Sequence, residues 1–219
     1  ILNDVFVPWD RVFMCGEYKY AQEYVETFAA YHRQNYGGCK VGLADVIIGA
    51  TAAMAEFNGV PKASHIKDKL IDMINMAETM YNCSIACSCE GCKTPAGSYY
   101  VNTLLANTVK LNCTKYMYEI SRLAHDIAGG FIATLPYEAD YKDPVTREYI
   151  DKYLKANPEV PTEHRIRLAR LIENMTGGTA LAESMHGAGS PQAMKVMIYR
   201  ESNMEHKKKL AKKLAKIDK

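Results

Sequence analysis

The stretch CKVGLADVIIGATAAMAEF, residues 39–57, combines an apolar run with an unusual number of small side chains. Small residues at helix contacts shorten the distance between helix axes, so this composition is typical of a helix at the centre of a bundle. The small positions are Gly42, Gly49, Ala52 and Ala53. Asn58, Gly59 and Pro61 follow and are helix stop signals. We therefore predict a central helix that other helices surround.

Helical patterns also cover most of the chain on both sides of this stretch. They predict helices from Glu17 to about Asn35, from Lys62 to about Cys92 and from Tyr99 to Ala128, a short helix ending at Ala156, a helix from Pro161, and a last helix after the N-cap and N1 pair Ser190 and Pro191. The segment GCKTPAGS, residues 91–98, and a loop with Pro136 and Pro144 interrupt the pattern. The expected fold is all-α, an antiparallel helical bundle.

The first residues, ILNDVFVPWDRVF, have a different pattern. Val5, Phe6 and Val7, stopped by Pro8, predict the end of a strand that leaves a sheet. The chain begins abruptly and without Met, so we expect the C-terminal piece of a longer protein. We predict that residues 1–15 are the end of a preceding β-domain with its linker, and that residues 16–219 form a C-terminal helical domain.

Composition excludes several classes of protein. Hydrophobic residues make up 48% of the 219, which is too many for a disordered chain, and the run Val41 to Ala55 is broken by Asp45 and too short to span a bilayer. The seven cysteines are an odd number for a closed disulfide framework, and no secretory leader opens the sequence, so we expect reduced thiols in the cytoplasm. The basic end HKKKLAKKLAKIDK, residues 206–219, carries no interleaved aromatics and predicts a solvated helix rather than a nucleic-acid or membrane surface.

Four cysteines in NCSIACSCEGC form the most conspicuous candidate metal site. Cys89 and Cys92 have CxxC spacing, which is typical of zinc and iron–sulfur ligands. In a continuous helix, however, Cys83 and Cys87 face one side and Cys89 and Cys92 face roughly the opposite side. We therefore expect thiols that pack between helices, with a separate metal site as the alternative.

His32 and Cys39 in YHRQNYGGCKVG form a second, less conspicuous pair. Seven residues are two helical turns, so both side chains lie on one face, about 10 Å apart along the axis. That separation is too long for two ligands of one zinc ion. It suits two irons of a cluster, or a chain that bends at Gly37 and Gly38. Periodicity by itself favours a structural role for both residues.

Two further segments carry polar or glycine signals. In ESMHGAGSPQA, Glu183 and His186 lie one helical turn apart, which is compatible with an acid/base pair or simply with a helix end before a capped helix start. In DIAGG, one glycine suffices for a helix C-cap, so the pair Gly129 and Gly130 leaves room for a ligand phosphate near the backbone.

The motifs DVFVPWDRVF, YHRQNYGGCKVG, NGVPKASHIKDKL, DIAGG and ESMHGAGSPQA occur in this order over essentially the whole chain. Together they resemble the C-terminal half of the 4-hydroxybutyryl-CoA dehydratase/vinylacetyl-CoA delta-isomerase family. DVFVPWDRVF and DIAGG are shared with the wider flavin-dependent 4-hydroxyphenylacetate 3-hydroxylase family, which has an acyl-CoA dehydrogenase-like fold. His32 with Cys39, and the ESMHGAGSPQA segment, are similar to the dehydratases specifically.

The resemblance implies a 4Fe-4S cluster with His32 and Cys39 as two of its four ligands, the other two being cysteines of an N-terminal half that this sequence lacks. His32 would also be catalytic, because labile imidazole ligation can free an iron for the substrate hydroxyl. By the same resemblance Tyr36 is a proton donor or hydrogen-bonding group, and Glu183 orients an acid/base partner.

The resemblance further implies that Gly129 and Gly130 approach the FAD of a neighbouring subunit in a homotetramer. The implied enzyme is a cytoplasmic lyase of anaerobic 4-aminobutyrate fermentation that dehydrates a CoA thioester, with isomerase activity, and this chain is expected to be inactive without its N-terminal half. A flavin-dependent aromatic hydroxylase without a cluster is the first alternative. A non-catalytic helical module that binds metal through CSCEGC is the second.

Overall fold

The computed structural model describes residues 1–217, so Asp218 and Lys219, the end of the predicted basic helix, lie outside the described residues. The helices are α1 Ala21–Phe57, α2 Ser64–Cys89, α3 Thr103–Ala128, α4 Glu138–Lys142, α5 Pro144–Tyr153, α6 Thr162–Met175, α7 Gly178–His186, α8 Pro191–Glu201 and α9 Met204–Leu214. Strands β1 Cys92–Lys93 and β2 Tyr99–Tyr100 form a two-stranded sheet. Short 3-10 turns occur at Trp9–Arg11, Tyr18–Tyr20 and Gly130–Thr134.

The three long helices α1, α2 and α3 pack against one another and enclose the main core, with α6 on α1 and with α7 and α8 on α3. Fully buried side chains from all of the long helices fill this core, among them Ile47, Met54, Met73, Met80, Met117 and Ile120. The predicted all-α bundle and the central position of residues 39–57 are confirmed.

Helix α1 is longer than its sequence pattern indicated. The predicted helices on either side of Gly37 and Gly38 are one continuous helix of 37 residues, preceded by a 3-10 turn. A Cβ on Gly37 would overlap the side chain of Ser84, so this glycine lets α1 and α2 approach closely. The packing outweighs the roughly 1 kcal/mol that a glycine costs in a helix interior.

The hairpin after α2 shortens two predicted helices. Helix α2 ends at Cys89 rather than near Cys92, and α3 begins at Thr103 rather than Tyr99. The intervening residues pair as antiparallel strands, with Cys92 opposite Tyr100, and Gly97 turns the chain at φ +84°. Pairing between two strands, which helical periodicity cannot reveal, therefore replaces the predicted end of α2 and the predicted start of α3.

Side-chain caps account for several helix boundaries. Asn102 accepts a hydrogen bond from the Leu105 amide at the start of α3, and Gly129, at φ +74°, ends that helix as predicted. Ser190 caps α8 by accepting from the Ala193 amide, which confirms the predicted N-cap. The predicted short helix up to Ala156 is α5, which starts at Pro144 with Asp143 as its cap and ends at Tyr153, and the predicted loop before it contains the short helix α4.

The N-terminal residues form no strand in the described part of the chain. Val5 to Val7 were predicted to end a strand. A strand needs backbone hydrogen bonds to a neighbouring strand, and these residues have no such neighbour among the described residues.

By length and composition alone, the helical stretch Tyr18–Phe57 could cross a membrane. Its first residues are largely exposed, but from Ala30 onward the helix packs into the core and buries the charged residues Arg33 and Lys40 against other helices.

Candidate functional site

One face of α1 turns charged and polar side chains into the protein. Arg33, Tyr36 and Lys40 recur every three to four residues and are 7%, 5% and 6% exposed. Charged side chains are rarely buried to this extent unless they are paired. Their partners come from α3, α7 and the loop after α7, and we call the resulting set the polar cluster: Arg33, Tyr36, Lys40, Asn107, Lys110, Glu183 and the loop Gly187–Gly189.

Glu183 of α7 connects two of these α1 residues. The Tyr36 hydroxyl donates to Oε1 of Glu183, and the Lys40 ammonium donates to Oε2. Partial burial raises the pKa of Glu183, but these hydrogen bonds and the positive charges of Lys40 and Lys110 outweigh it and lower the pKa overall. Burial and the Glu183 carboxylate raise the pKa of Tyr36. At neutral pH the pair is therefore a carboxylate that accepts a hydrogen bond from a neutral phenol.

The loop after α7 packs directly on Tyr36. A Cβ on Gly187 would overlap the Tyr36 hydroxyl and lie 2.8 Å from the Glu183 carbonyl oxygen, so only glycine fits there. Arg33 donates to the Ala188 carbonyl at 3.0 Å and to Oδ1 of Asn107 at 2.7 Å. The ESMHGAGSPQA segment thus combines a polar site with the helix end and capped start that its sequence also indicated.

Lys110 lies beneath the Tyr36 ring and is fully buried. Its ammonium group is 4.1 Å from the ring centroid and donates to the Ser184 carbonyl at 2.5 Å. Burial lowers the pKa of Lys110 to about 8, although the nearby Cys113 and Glu183 act in the opposite direction. The Lys110 ammonium therefore adds a buried positive charge next to the Tyr36 and Glu183 pair.

His32 and Cys39 lie beside this cluster on the outer part of α1. Both residues are exposed, and the His32 ring is 5.6 Å from the Tyr36 ring, centroid to centroid. Because α1 does not bend at Gly37 and Gly38, their separation along the axis stays at about 10 Å. This geometry excludes a shared single metal ion and suits two atoms of a larger cluster.

Within residues 1–217, no group of three or more His, Cys, Asp or Glu side chains could hold a metal ion. A metal site that uses His32 and Cys39 would therefore need ligands from outside the described residues. Both side chains are exposed, and imidazole and cysteine sulfur are ligand types of iron–sulfur sites, so the pair fits part of such a site.

Gly129 and Gly130 lie far from the polar cluster. Gly129 follows Lys110 by 19 residues along α3, which corresponds to about 28 Å. Both glycines are exposed, and a Cβ on either would meet no atom of the described chain within 4 Å. They belong to a different surface, and their predicted approach to a flavin stays a prediction.

The four cysteines near the end of α2, which we call the thiol cluster, do not converge. Cys83 and Cys87 point inward and donate to the carbonyls of Leu105 and Asn102, whereas Cys89 and Cys92 are exposed. Burial raises the pKa of Cys83 and raises that of Cys87 to about 11, so both thiols are protonated at neutral pH. The packing of the thiol cluster agrees with the helical period.

Sequence reasoning identified Tyr36 and Glu183 but missed Arg33, Lys40, Asn107 and Lys110. A signal was available for two of them, because Arg33, Tyr36 and Lys40 share the inward stripe that also carries Ala44 and Ile47. Lys110 and Asn107 gave a similar signal on α3, between the buried positions Ala106 and Cys113. Charged residues on an otherwise apolar stripe are therefore the clue to this site.

Comparison with known proteins gives two levels of similarity. The chain is 50% identical, over 99% of its own length and 47% of the relative's, to the 4-hydroxybutyryl-CoA dehydratase/vinylacetyl-CoA-delta-isomerase of Clostridium aminobutyricum. It is 26% identical, over 94% of its length and 44% of the relative's, to the oxygenase component of a 4-hydroxyphenylacetate 3-monooxygenase from Thermus thermophilus. The chain thus spans about half the length of these relatives.

Solved structures give the same two levels. An oxygen-tolerant archaeal 4-hydroxybutyryl-CoA dehydratase from N. maritimus superposes with a TM-score of 0.96 at 51% identity, covering 100% of this chain and 44% of that one. The oxygenase component of 4-hydroxyphenylacetate 3-monooxygenase superposes with a TM-score of 0.88 at 22% identity, over 99% and 47%, a likeness that shows the fold alone. The family described as 4-hydroxyphenylacetate 3-hydroxylase C terminal matches residues 21–216, and the chain therefore belongs to that family.

Proposed function

We propose that this chain is the C-terminal part of a radical-type 4-hydroxybutyryl-CoA dehydratase, a lyase that forms crotonyl-CoA and also has vinylacetyl-CoA delta-isomerase activity. The observation that carries the proposal is the position of two exposed candidate metal ligands, His32 and Cys39, on the same helix as the buried Tyr36, whose hydroxyl donates to the half-exposed Glu183 of α7. Two relatives that are 50% and 51% identical to this chain over the aligned residues are dehydratases by name.

The proposed cofactors are FAD and a 4Fe-4S cluster. His32 and Cys39 would each bind one iron, and two ligands would come from the N-terminal half. Gly129 and Gly130 would lie against the FAD of a neighbouring subunit. When bound, the cluster supplies a Lewis acid for the substrate hydroxyl, and the flavin supplies transient one-electron oxidation that makes the C3 proton acidic.

The residues of this chain would move and hold protons around those cofactors. Glu183 is ionised at neutral pH because Tyr36 and Lys40 both donate to it, so its carboxylate can accept a proton at the substrate α-carbon, directly or through the partner that it orients. Tyr36 stays neutral and can donate a proton. Lys40 would add positive charge beside the Glu183 carboxylate and so keep it ionised.

The remaining parts of the proposal concern the whole enzyme. The partners are a CoA-thioester substrate, the N-terminal half and three further copies in a homotetramer. The proposed location is the cytoplasm, and the proposed role is anaerobic 4-aminobutyrate fermentation. This chain without its N-terminal half should not dehydrate 4-hydroxybutyryl-CoA, because it can supply only two cluster ligands.

The test is the iron, sulfide and FAD content of the intact assembly, prepared anaerobically as wild type, His32→Ala and Cys39→Ala. We expect one 4Fe-4S cluster per subunit in the wild type, and loss of iron and sulfide but not of FAD in both variants. Cys92→Ala is the matched control, because it removes an exposed cysteine of the thiol cluster. FAD without iron in the wild type would overturn the proposal in favour of a flavin-dependent aromatic hydroxylase.

A further inference from the structure

Lys110 has no carboxylate within hydrogen-bonding distance in the described chain, although it is 0% exposed. Burying a cation without such a partner costs several kcal/mol, so its contacts require an explanation. These contacts are two backbone carbonyls of α7, those of Ser184 and Met185, and the face of the Tyr36 ring. All three belong to the elements that carry the proposed proton-transfer pair.

The carbonyls at the end of α7 reveal what Lys110 does. A helix leaves its last four carbonyls without partners inside the helix. Here the Glu183 carbonyl accepts from the Gly187 amide at 2.8 Å, and the His186 carbonyl accepts from the Gly189 amide at 3.1 Å. The two between them, those of Ser184 and Met185, accept from Lys110 at 2.5 and 3.4 Å. One buried side chain therefore completes the cap of the helix that carries Glu183.

The same ammonium group also fixes the other member of the pair. It lies 4.1 Å from the centroid of the Tyr36 ring, which is within the range of a cation–π contact. The Tyr36 hydroxyl is confined on its far side by Gly187, where a Cβ would not fit. Lys110 on α3 thus contacts both the helix of Glu183 and the ring of Tyr36, without touching the Glu183 carboxylate.

We propose that Lys110 is a positioning residue, which holds the end of α7 against the Tyr36 ring and so fixes the alignment of the Tyr36 hydroxyl with the Glu183 carboxylate. The inference rests on the proposed function for the identity of the reaction. It adds a residue on α3 to a site whose other proposed catalytic groups lie on α1 and α7. The geometry requires both the length and the charge of the lysine side chain, since a shorter or apolar side chain would leave two buried carbonyls unpaired.

The experiment compares Lys110→Met with wild type in the intact assembly with the N-terminal half, and normalises kcat to sites that hold both iron and FAD. Because small misplacements of catalytic groups cost up to about 100-fold, we expect kcat to fall about 10- to 100-fold while KM changes by less than about 3-fold. Lys110→Arg, which keeps charge and donors, should recover at least about 5-fold. Lys115→Met is the matched control, because Lys115 is exposed on the same helix.

A second comparison separates positioning from mere support of the fold. In a Glu183→Gln background, Lys110→Met should lower kcat by less than about 3-fold, since residues that act as a unit are not additive. Equal losses in both backgrounds, or an unchanged kcat per loaded site, would overturn the proposal. If Lys110→Met does not assemble, Lys110→Gln, which keeps an NH₂ donor group but no charge, undergoes the same two comparisons.

Amide hydrogen exchange distinguishes failure of this inference from failure of the proposed function. In Lys110→Met the amides of residues 184–189 should exchange faster than in Lys115→Met, whatever reaction the enzyme catalyses. A wild-type assembly that does not dehydrate 4-hydroxybutyryl-CoA would refute the proposed function and leave the exchange result to decide whether Lys110 holds α7. Unchanged exchange would refute the role of Lys110 by itself.

Discussion

The thiol cluster is close in sequence but its side chains do not converge, whereas the polar cluster is dispersed in sequence and its side chains meet. The thiol cluster has four potential metal ligands within ten residues, yet Cys83 and Cys87 point inward and donate to backbone carbonyls, whereas Cys89 and Cys92 are exposed. The polar cluster has hydrogen bonds between residues up to 155 positions apart, and its hydroxyl, ammonium and carboxylate groups bond to one another. Proximity in sequence therefore says less about a site than the direction in which each helix face points.

The first prediction removes the base of the polar cluster and has the largest expected effect. Glu183→Gln abolishes the negative charge that accepts from both Tyr36 and Lys40. General acid–base catalysis is worth about 10²- to 10⁴-fold, so we expect kcat/KM for 4-hydroxybutyryl-CoA to fall on the order of 10³-fold in the intact assembly. Glu119→Gln, which breaks only an exposed pair with Arg122, is the control. A loss below 3-fold would contradict the role of Glu183.

The second prediction concerns how the free energy of unfolding depends on pH, and it tests the contribution of Lys110. Its pKa is about 8 in the folded chain and 10.5 when unperturbed, so between these values the unfolded state binds more protons and folding stability rises with pH. The cost of burying the cation is fully present below pH 8. Relative to Lys110→Met, wild type should therefore gain about 3 kcal/mol of unfolding free energy between pH 7 and pH 11.

Chemical unfolding of both proteins at a series of pH values measures this difference. Other groups that titrate in the same range, such as tyrosines and exposed lysines, contribute equally to both proteins and cancel. Parallel stability curves for wild type and Lys110→Met would show that the ammonium is not destabilised by burial.

The third prediction uses two adjacent glycines of α1 that differ in their surroundings. Gly37→Ala forces a methyl group into the Ser84 side chain, which should destabilise the protein by about 1–3 kcal/mol through overpacking. Gly38→Ala meets no atom within 4 Å and should stabilise the helix by about 0.5–1 kcal/mol. Unfolding free energies of the two variants compare the sites, and equal values would contradict the close contact of α1 and α2.

The fourth prediction, with the smallest expected effect, concerns the thiol cluster. Cys89→Ser with Cys92→Ser should leave iron content unchanged and alter stability by less than about 0.5 kcal/mol, because both residues are exposed. Cys87→Ser should cost about 1 kcal/mol, since it alters a buried thiol that donates to Asn102. Iron loss in the double variant would instead support metal binding by CSCEGC.

Sequence patterns predicted the helical class and most element positions correctly, because helix periodicity and capping act over a few residues. Asn102, Gly129 and Ser190 end or begin helices through contacts with their own neighbours. The errors arose where contacts between different elements decide the helix boundaries. Gly37 of the continuous helix α1 makes room for Ser84 of α2, and strand β2 pairs with β1 where the helical pattern had predicted helix ends.

For the candidate site, too, the sequence indicated local features and the tertiary structure decided the contacts between helices. The sequence by itself indicated that His32 and Cys39 are two helical turns apart, and the motif around Glu183 indicated an active-site segment by resemblance. Only the tertiary structure decided that Tyr36 and Lys40 bond to Glu183, and that Lys110 closes the end of α7, because these contacts join residues 74 to 147 positions apart. Such contacts depend on how whole helices pack, and the pattern within one helix contains no information on its distant partners.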